Sequence, residues 1–180
     1  MHSYIKNIIE KDPSVHSYLE AMLLYPSVYA ILIYRLAAFL YRIKLYFFAR
    51  LFSQLGRLLT GIEIHPGAKI GKNLFMDHGA AIVIGQTSII GDNCVIYHGV
   101  TLGSTEIELD KEARRHPKIG TGVVIGAGAK ILGPIEIHDG AKIGANAVVL
   151  KDVPENSTAV GIPARNLLKR SENSEIKVYR

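Results

Sequence analysis

Residues 119–149 read IGTGVVIGAGAKILGPIEIHDGAKIGANAVV. An aliphatic side chain returns every six positions there, at Ile119, Ile125, Ile131, Ile137, Ile143 and Val149. A period of six matches neither the 3.6-residue turn of an amphipathic helix nor the two-residue alternation of a half-buried strand. It fits short flat faces joined by tight corners, with the aliphatic residue pointing inward and glycine easing the turn. Three such faces close one coil, so residues eighteen apart stack at ~4.8 Å, the spacing of hydrogen-bonded strands.

The same step extends upstream through Ile84, Ile90, Ile96 and Leu102, and, two residues out of phase, through Ile64, Ile70 and Met76. In a chain that is 48% hydrophobic, thirteen aliphatic or methionine positions in this pattern arise by chance about once in ten thousand trials. Glycine follows directly at Gly71, Gly85, Gly91, Gly103, Gly120, Gly126 and Gly144. A small or β-branched residue stands four positions on at Ala68, Val100, Val123, Ala129, Ala141 and Ala147. The sequence therefore predicts a parallel β-helix of hexapeptide repeats from about Ile64 to about Leu150, a mainly β fold with some α.

Two breaks interrupt the period. Ile82-Val83 fall out of register just after Met76-Asp77-His78-Gly79. The segment from Ser104 to Lys118 carries Glu106, Glu108, Asp110, Lys111, Glu112, Arg114 and Arg115, with His116-Pro117 near its end. Regular coils have no use for such a segment, so it reads as an ejected loop, and loops on rigid scaffolds often carry function.

Before Gly61 glycines are few and long apolar and aromatic residues many, which divides the chain into a helical region (1–60), the β-helix (61–165) and a polar tail (166–180). Residues 14–59 read as helices, with Asp12-Pro13-Ser14 as the start signal. Arg35, Arg42, Arg50 and Arg57 recur at helical spacing and read as a polar stripe on one face, with a membrane-surface helix the alternative. Tyr34, Phe39, Tyr41, Tyr46, Phe47, Phe48 and Phe52 are expected to pack between helices or subunits. The apolar stretch from Ala21 to Tyr34 is interrupted by Pro26 and ended by Arg35, short of the ~20 residues needed to span a bilayer. No membrane span is expected, and no signal peptide. A net charge of +5 spread along the chain reads as a solvated surface suited to an anionic small molecule rather than to nucleic acid. The single cysteine, Cys94, points to the reducing cytoplasm.

Of seven histidines, His2, His16 and His138 stand in no constellation, whereas His65, His78, His98 and His116 do. A histidine near neutral pKa and oriented by a carboxylate is a good general base for a hydroxyl. Glu63 and His78, fifteen residues apart, are expected on neighbouring coils within hydrogen-bond reach. The competing reading is zinc held by His78, His98 and His116, but no pair shows the short spacing such sites use, so no metal is expected.

The chain resembles the serine O-acetyltransferases of cysteine biosynthesis, within the hexapeptide-repeat acyltransferases, from Asp12-Pro13 to Arg165. The motifs are residues 61–71 (GIEIHPGAKIG), Met76-Asp77-His78-Gly79, Gly99-Val100-Thr101-Leu102-Gly103, Arg115-His116-Pro117, residues 125–130 (IGAGAK) and residues 160–165 (VGIPAR). The resemblance implies a left-handed β-helix and transfer of acetyl from acetyl-CoA to L-serine by direct attack. It assigns His78 as the base, Glu63 as the carboxylate orienting it, and His116 as a second polar contact near the hydroxyl. Asp12 and Asp77 would hold the substrate ammonium, and Arg115 its carboxylate in a guanidinium fork. Backbone N–H groups near Gly103 and Ser104 would stabilise the oxyanion, and acetyl-CoA would lie along Ala127 and Ala145. It further implies a homotrimer with sites between subunits, and allows a dimer of trimers.

The segment Gly103-Ser104-Thr105-Glu106-Ile107 departs from the family's Gly-Gly-Thr-Gly-Lys, and the chain ends in Lys177-Val178-Tyr179-Arg180 rather than in isoleucine. No complex with the sulfhydrylase is therefore predicted. The altered loop keeps open acetylation of a sugar or another small hydroxyl compound, and a non-catalytic scaffold. A zinc-dependent γ-type carbonic anhydrase is the alternative from another reaction class.

Overall fold

The computed structural model describes residues 2–105 and 113–167. Four helices come first: α1 (His2–Lys11), α2 (Tyr18–Leu24), α3 (Pro26–Arg42) and α4 (Tyr46–Thr60). Among the described residues fifteen short strands follow, three to each of the first four coils. The first coil holds β1 (Ile62–Ile64), β2 (Lys69–Ile70) and β3 (Phe75–Asp77), and the second β4 (Ile82–Ile84), β5 (Ile89–Ile90) and β6 (Val95–Tyr97). The third holds β7 (Thr101–Gly103), β8 (Lys118–Ile119) and β9 (Val124–Ile125), and the fourth β10 (Lys130–Leu132), β11 (Glu136–Ile137) and β12 (Lys142–Ile143). The fifth has β13 (Val148–Val149), a single bridge at Val153 and β14 (Thr158–Gly161), before β15 (Ala164–Leu167) folds back antiparallel on β14.

The strands stack into three parallel sheets, the faces of a prism. The first sheet runs β1-β4-β7-β10-β13, the second β2-β5-β8-β11, and the third β3-β6-β9-β12-β14. Twelve of the thirteen period-six residues are at most 4% exposed, and only Ile70 is half-buried. The small residues Ala68, Val100, Val123, Ala129, Ala141 and Ala147 are buried with them. Each buried isoleucine contributes roughly 1.5–3 kcal/mol of apolar transfer, and a narrow prism needs that ladder because each coil holds few other apolar residues.

Register locates both breaks. Ile64 pairs with Ile84, twenty residues on, whereas Ile84 pairs with Leu102 at the regular eighteen. Leu102 pairs with Ile131, twenty-nine on, and Ile131 with Val149 at eighteen again. The two added residues enter after His78 and the larger insertion after Gly103. The acidic members of that insertion, Glu106, Glu108, Asp110 and Glu112, lie outside the described residues, as does the tail from 168. Asn166 and Leu167 belong to β15.

The helical region differs from its sequence reading in two respects. α1 precedes Asp12, burying Tyr4, Ile5 and Ile8 against the core. Asp12-Pro13-Ser14 is a turn, and the helix starts at Ser17, whose hydroxyl accepts the Glu20 N–H while Glu20 accepts the His16 N–H. Asp12 bonds to Ser14 instead, the competing local use of an aspartate side chain. The arginines do not form one stripe: Arg35 and Arg42 lie on α3, Arg50 and Arg57 on α4, with left-handed Lys44 in the turn between. α3 and α4 approach so closely at Gly56 that an added Cβ would lie 3.1 Å from Ile33 Cγ2. Ser53 joins α4 to the prism by donating to the Ile64 carbonyl at 2.7 Å, and Tyr34 joins α3 by donating to the Ala68 carbonyl at 2.6 Å. Phe39, Tyr46, Phe47 and Phe48 are exposed. No single helix among the described residues is long and apolar enough to cross a membrane.

Candidate active site

The edge between the third and first sheets carries the first half of the site. β3 ends at Asp77, and His78 and Gly79 follow with φ of 58° and 73°. A non-glycine residue in this left-handed region costs about 1–2 kcal/mol, and here the corner's own bonds hold it. Gly79 N–H donates to the Asp77 carbonyl, Ala80 N–H to that of His78, and Ala81 N–H to that of Gly61. The two added residues thus build a wide corner that pushes the His78 side chain, 74% exposed, off the prism. Its Nε2 lies 4.0 Å from Asp77 Oδ1.

Asp12 reaches the same place from the turn after α1. Together with Ser14, Leu24, Tyr25, Pro26, Met76, Asp77 and His78 it lines a cleft of about 300 Å³. Ser14 donates to Asp12 Oδ1 from its N–H at 2.9 Å and its hydroxyl at 2.6 Å, and the Tyr25 hydroxyl donates to Oδ2. The Ser14 hydroxyl and then Tyr25 hold the Asp12 carboxyl below the usual carboxylate range. Hydrogen bonds to the charged form have that effect, so the cleft keeps an anion in place. Ser14 and Tyr25 were not singled out in the sequence; the Asp-Pro-Ser turn is the signal that points to the first.

The second half lies at the edge between the first and second sheets. His116 is 8% exposed, with its ring over Gly85. Thr87 organises it: its hydroxyl accepts the backbone N–H groups of Arg115 at 3.0 Å and His116 at 3.1 Å. The same hydroxyl lies 2.9 Å from His116 Nδ1, and the Thr87 N–H donates to that nitrogen at 3.2 Å. Nδ1 is therefore an acceptor, and the pattern assigns the ring proton to Nε2. Burial first, and then the Arg115 charge, push the His116 pKa down, which keeps the ring neutral. The Arg115 guanidinium donates to Gln86 Oε1 at 2.8 Å, and Gln86 donates to the Tyr41 hydroxyl at 3.1 Å. His65, in the first coil, is pushed down to about 4 by burial, then by Arg50 and the His116–Arg115 pair. Its Nδ1 accepts the Gly67 N–H at 3.0 Å.

Glu63 stands on β1, in the same coil as His78 rather than the next. Its carboxylate pairs with Arg57 at 3.3 Å, while the carboxylate beside His78 is that of Asp77. The His78 corner nevertheless packs on the start of β1, since a Cβ on Gly79 would lie against the Ile62 side chain. Gly103 ends β7 and Ser104 follows it into the insertion. Ala127 and Ala145 stack on consecutive coils, with the Asn146 N–H bonded to the Ala127 carbonyl at 2.8 Å. Two residues past the paired positions Met76, Ile96, Ile125 and Ile143 stand His78, His98, Ala127 and Ala145, one column along a single edge.

Within one chain the two halves occupy different edges of the prism. Asp12, Asp77 and His78 converge, and Arg115 and His116 converge, but the two sets do not meet. Of the three histidines of the zinc alternative, His78 and His98 share an edge within one chain, while His116 is buried on another. No group of three or more metal-ligating side chains is present among the described residues.

Two family models match, bacterial transferase hexapeptide (six repeats) over residues 116–151 and the hexapeptide repeat of succinyl-transferase over 81–105. The serine acetyltransferase of Helicobacter pylori is 53% identical over 165 residues, covering 92% of this chain and 95% of that enzyme. That of Bacillus subtilis is 48% identical over 168 residues, covering 93% and 76%. Among solved structures, soybean serine acetyltransferase complexed with serine has a TM-score of 0.86 at 42% identity, covering 92% of this chain and 67% of its own. The Brucella abortus serine acetyltransferase in complex with coenzyme A has a TM-score of 0.86 at 40% identity, covering 92% and 65%. The chain thus spans about two thirds of these solved enzymes and nearly all of the Helicobacter one. With half of its residues shared over almost its whole length, and with the same coiled fold, this chain belongs to the serine acetyltransferase family.

Proposed function

We propose that the protein transfers acetyl from acetyl-CoA to the hydroxyl of L-serine, a step serving cysteine biosynthesis. The observation that carries this reading is the convergence of Asp12, Asp77 and His78 in one cleft. Two carboxylates, one of them held ionised by its own hydrogen bonds, suit an ammonium group, and an exposed imidazole beside them suits a hydroxyl. His78 accepts the hydroxyl proton as serine oxygen attacks the thioester carbon. The tetrahedral intermediate then expels the coenzyme thiolate, which takes the proton back from His78. Backbone N–H groups at Gly103 and Ser104 hold the developing oxyanion. Glu63 orients His78, turning from an Arg57 pair exposed enough to be worth at most ~1 kcal/mol. The coenzyme lies along the edge whose column continues through Ala127 and Ala145, where methyl side chains leave room for a pantetheine arm.

Arg115 and His116 serve the same reaction from a neighbouring subunit. Arg115 takes the serine carboxylate, and His116 presents a neutral Nε2–H close to the hydroxyl. Their place on a different edge from His78 supports a trimer in which each cleft joins two chains. The test is thiol release from acetyl-CoA by the purified protein with and without L-serine. Release should depend on serine and disappear in His78→Ala and in Arg115→Ala. Trimers reassembled from a mixture of those two inactive variants should recover activity, because some clefts then combine an intact half from each. Serine-independent release would overturn the assignment, and failure to recover would overturn the shared cleft.

A further inference from the structure

We propose that His98 limits the size of the acyl group this site accepts. The inference rests on the reading of the His78 edge as the acyl-donor groove. That edge presents one residue per coil, in the order His78, His98, Ala127, Ala145. Its backbone is locked coil to coil: Gly128 N–H donates to the His98 carbonyl at 2.8 Å, and Asn146 N–H to that of Ala127 at 2.8 Å. Two methyl side chains are therefore followed by an imidazole directly before the base.

The His98 ring meets the His78 ring edge-on, with centroids 5.7 Å apart and planes at 75°. A donor lying along Ala145 and Ala127 must cross the level of His98 to bring its carbonyl carbon near His78. Consecutive coils are ~4.8 Å apart, and the reacting atoms must close to ~3–3.5 Å. The substituent on that carbonyl consequently lies beside the His98 imidazole. An acetyl methyl fits beside a ring there, whereas each further methylene extends into it. His78 closes one side of the ring, so His98 has no room to yield in that direction.

His98 is exposed, and replacing it removes no core packing. The test compares kcat/KM for acetyl-, propionyl- and butyryl-CoA, with saturating L-serine, in the full-length wild type, His98→Ala and His98→Phe. Wild type should prefer acetyl over butyryl by about a hundredfold, since each of the two added methylenes discriminates by ~10-fold at the low end of the usual range. His98→Ala should reduce that preference at least ~10-fold by raising the butyryl rate. His98→Phe keeps a ring in place and should keep the preference. An unchanged acetyl-to-butyryl ratio in an active His98→Ala overturns the inference and leaves the acetyltransferase reading standing. So does a ratio that falls equally in His98→Phe. A wild type that releases no thiol with any of the three donors overturns both.

Discussion

Replacing Gly85 by alanine tests how His116 is held. The backbone of Gly85 does not require glycine by its φ, but the His116 ring occupies the space of a Cβ: the added atom would lie 2.8 Å from Cγ and closer still to Cδ2 and Nε2. The atom in the way is a buried ring rather than a flexible chain end, so the ring must leave. It then forfeits the two interactions on Nδ1 from the Thr87 N–H and hydroxyl, worth about 1 kcal/mol each. Ejecting a ring that is 8% exposed adds roughly 1 kcal/mol of lost burial. Gly85→Ala should therefore destabilise by ~3 kcal/mol, a fall of ~6–12 °C in Tm for a chain of this size.

His116→Ala alone loses the same bonds and burial, about 2–3 kcal/mol. In the double variant the new methyl enters the vacated space, so the combined loss should stay near ~2–3 kcal/mol instead of the ~5–6 expected from addition. Denaturant unfolding of all four proteins at one fixed concentration measures the cycle, the concentration being held because assembly shifts apparent stability. Additive losses, or a Gly85→Ala change below ~0.5 kcal/mol, would refute the packing argument.

Glu63→Gln should lower kcat about 10- to 100-fold by loosening the orientation of His78, whereas Arg57→Ala should leave kcat within about twofold because that ion pair is exposed; steady-state kinetics on both variants separates an orienting carboxylate from a surface pair. His65 titrates at about 4 in the fold against an ordinary ~6.5. The unfolded chain therefore binds the extra proton first, so this contribution to stability is complete above pH 6.5 and is lost as pH falls towards 4. His65→Gln should flatten the slope of stability against pH across that window, as read by unfolding at several pH values. Tyr25→Phe removes one donor from Asp12 and should raise the KM for serine about three- to tenfold. The pH at which serine affinity collapses should rise with it, because Asp12 is held ionised partly by that hydroxyl; a KM titration carried below the ordinary carboxylate range of about pH 4 checks both.

The coil architecture was legible from Ile64, Ile84, Ile131 and their period-mates because a narrow prism tolerates only one kind of residue at each inward position. The two breaks were legible for the same reason, as departures from that rule, and the structure places His78 and His116 beside them. Less legible was what holds those residues. Thr87 follows no periodic rule, yet its hydroxyl joins the backbone of Arg115 and His116 to an imidazole nitrogen. Helix boundaries near Asp12 were misread because an aspartate that caps a helix and one that closes a turn look alike until the partner N–H is known. The arginine stripe was misread because helical spacing persists across a turn that periodicity alone does not reveal.

The coils, their breaks and the candidate site residues could all be read along the chain, since each is a local choice repeated or interrupted there. Which of those side chains share an edge follows from how the coils stack. His78 aligns with His98, Ala127 and Ala145 and gathers Asp12, while Arg115 and His116 face away on another edge. The physical reason is the rotation accumulated around the prism. Successive six-residue faces point in different directions, while both insertions are taken up at corners, so the strands that follow keep their sheets.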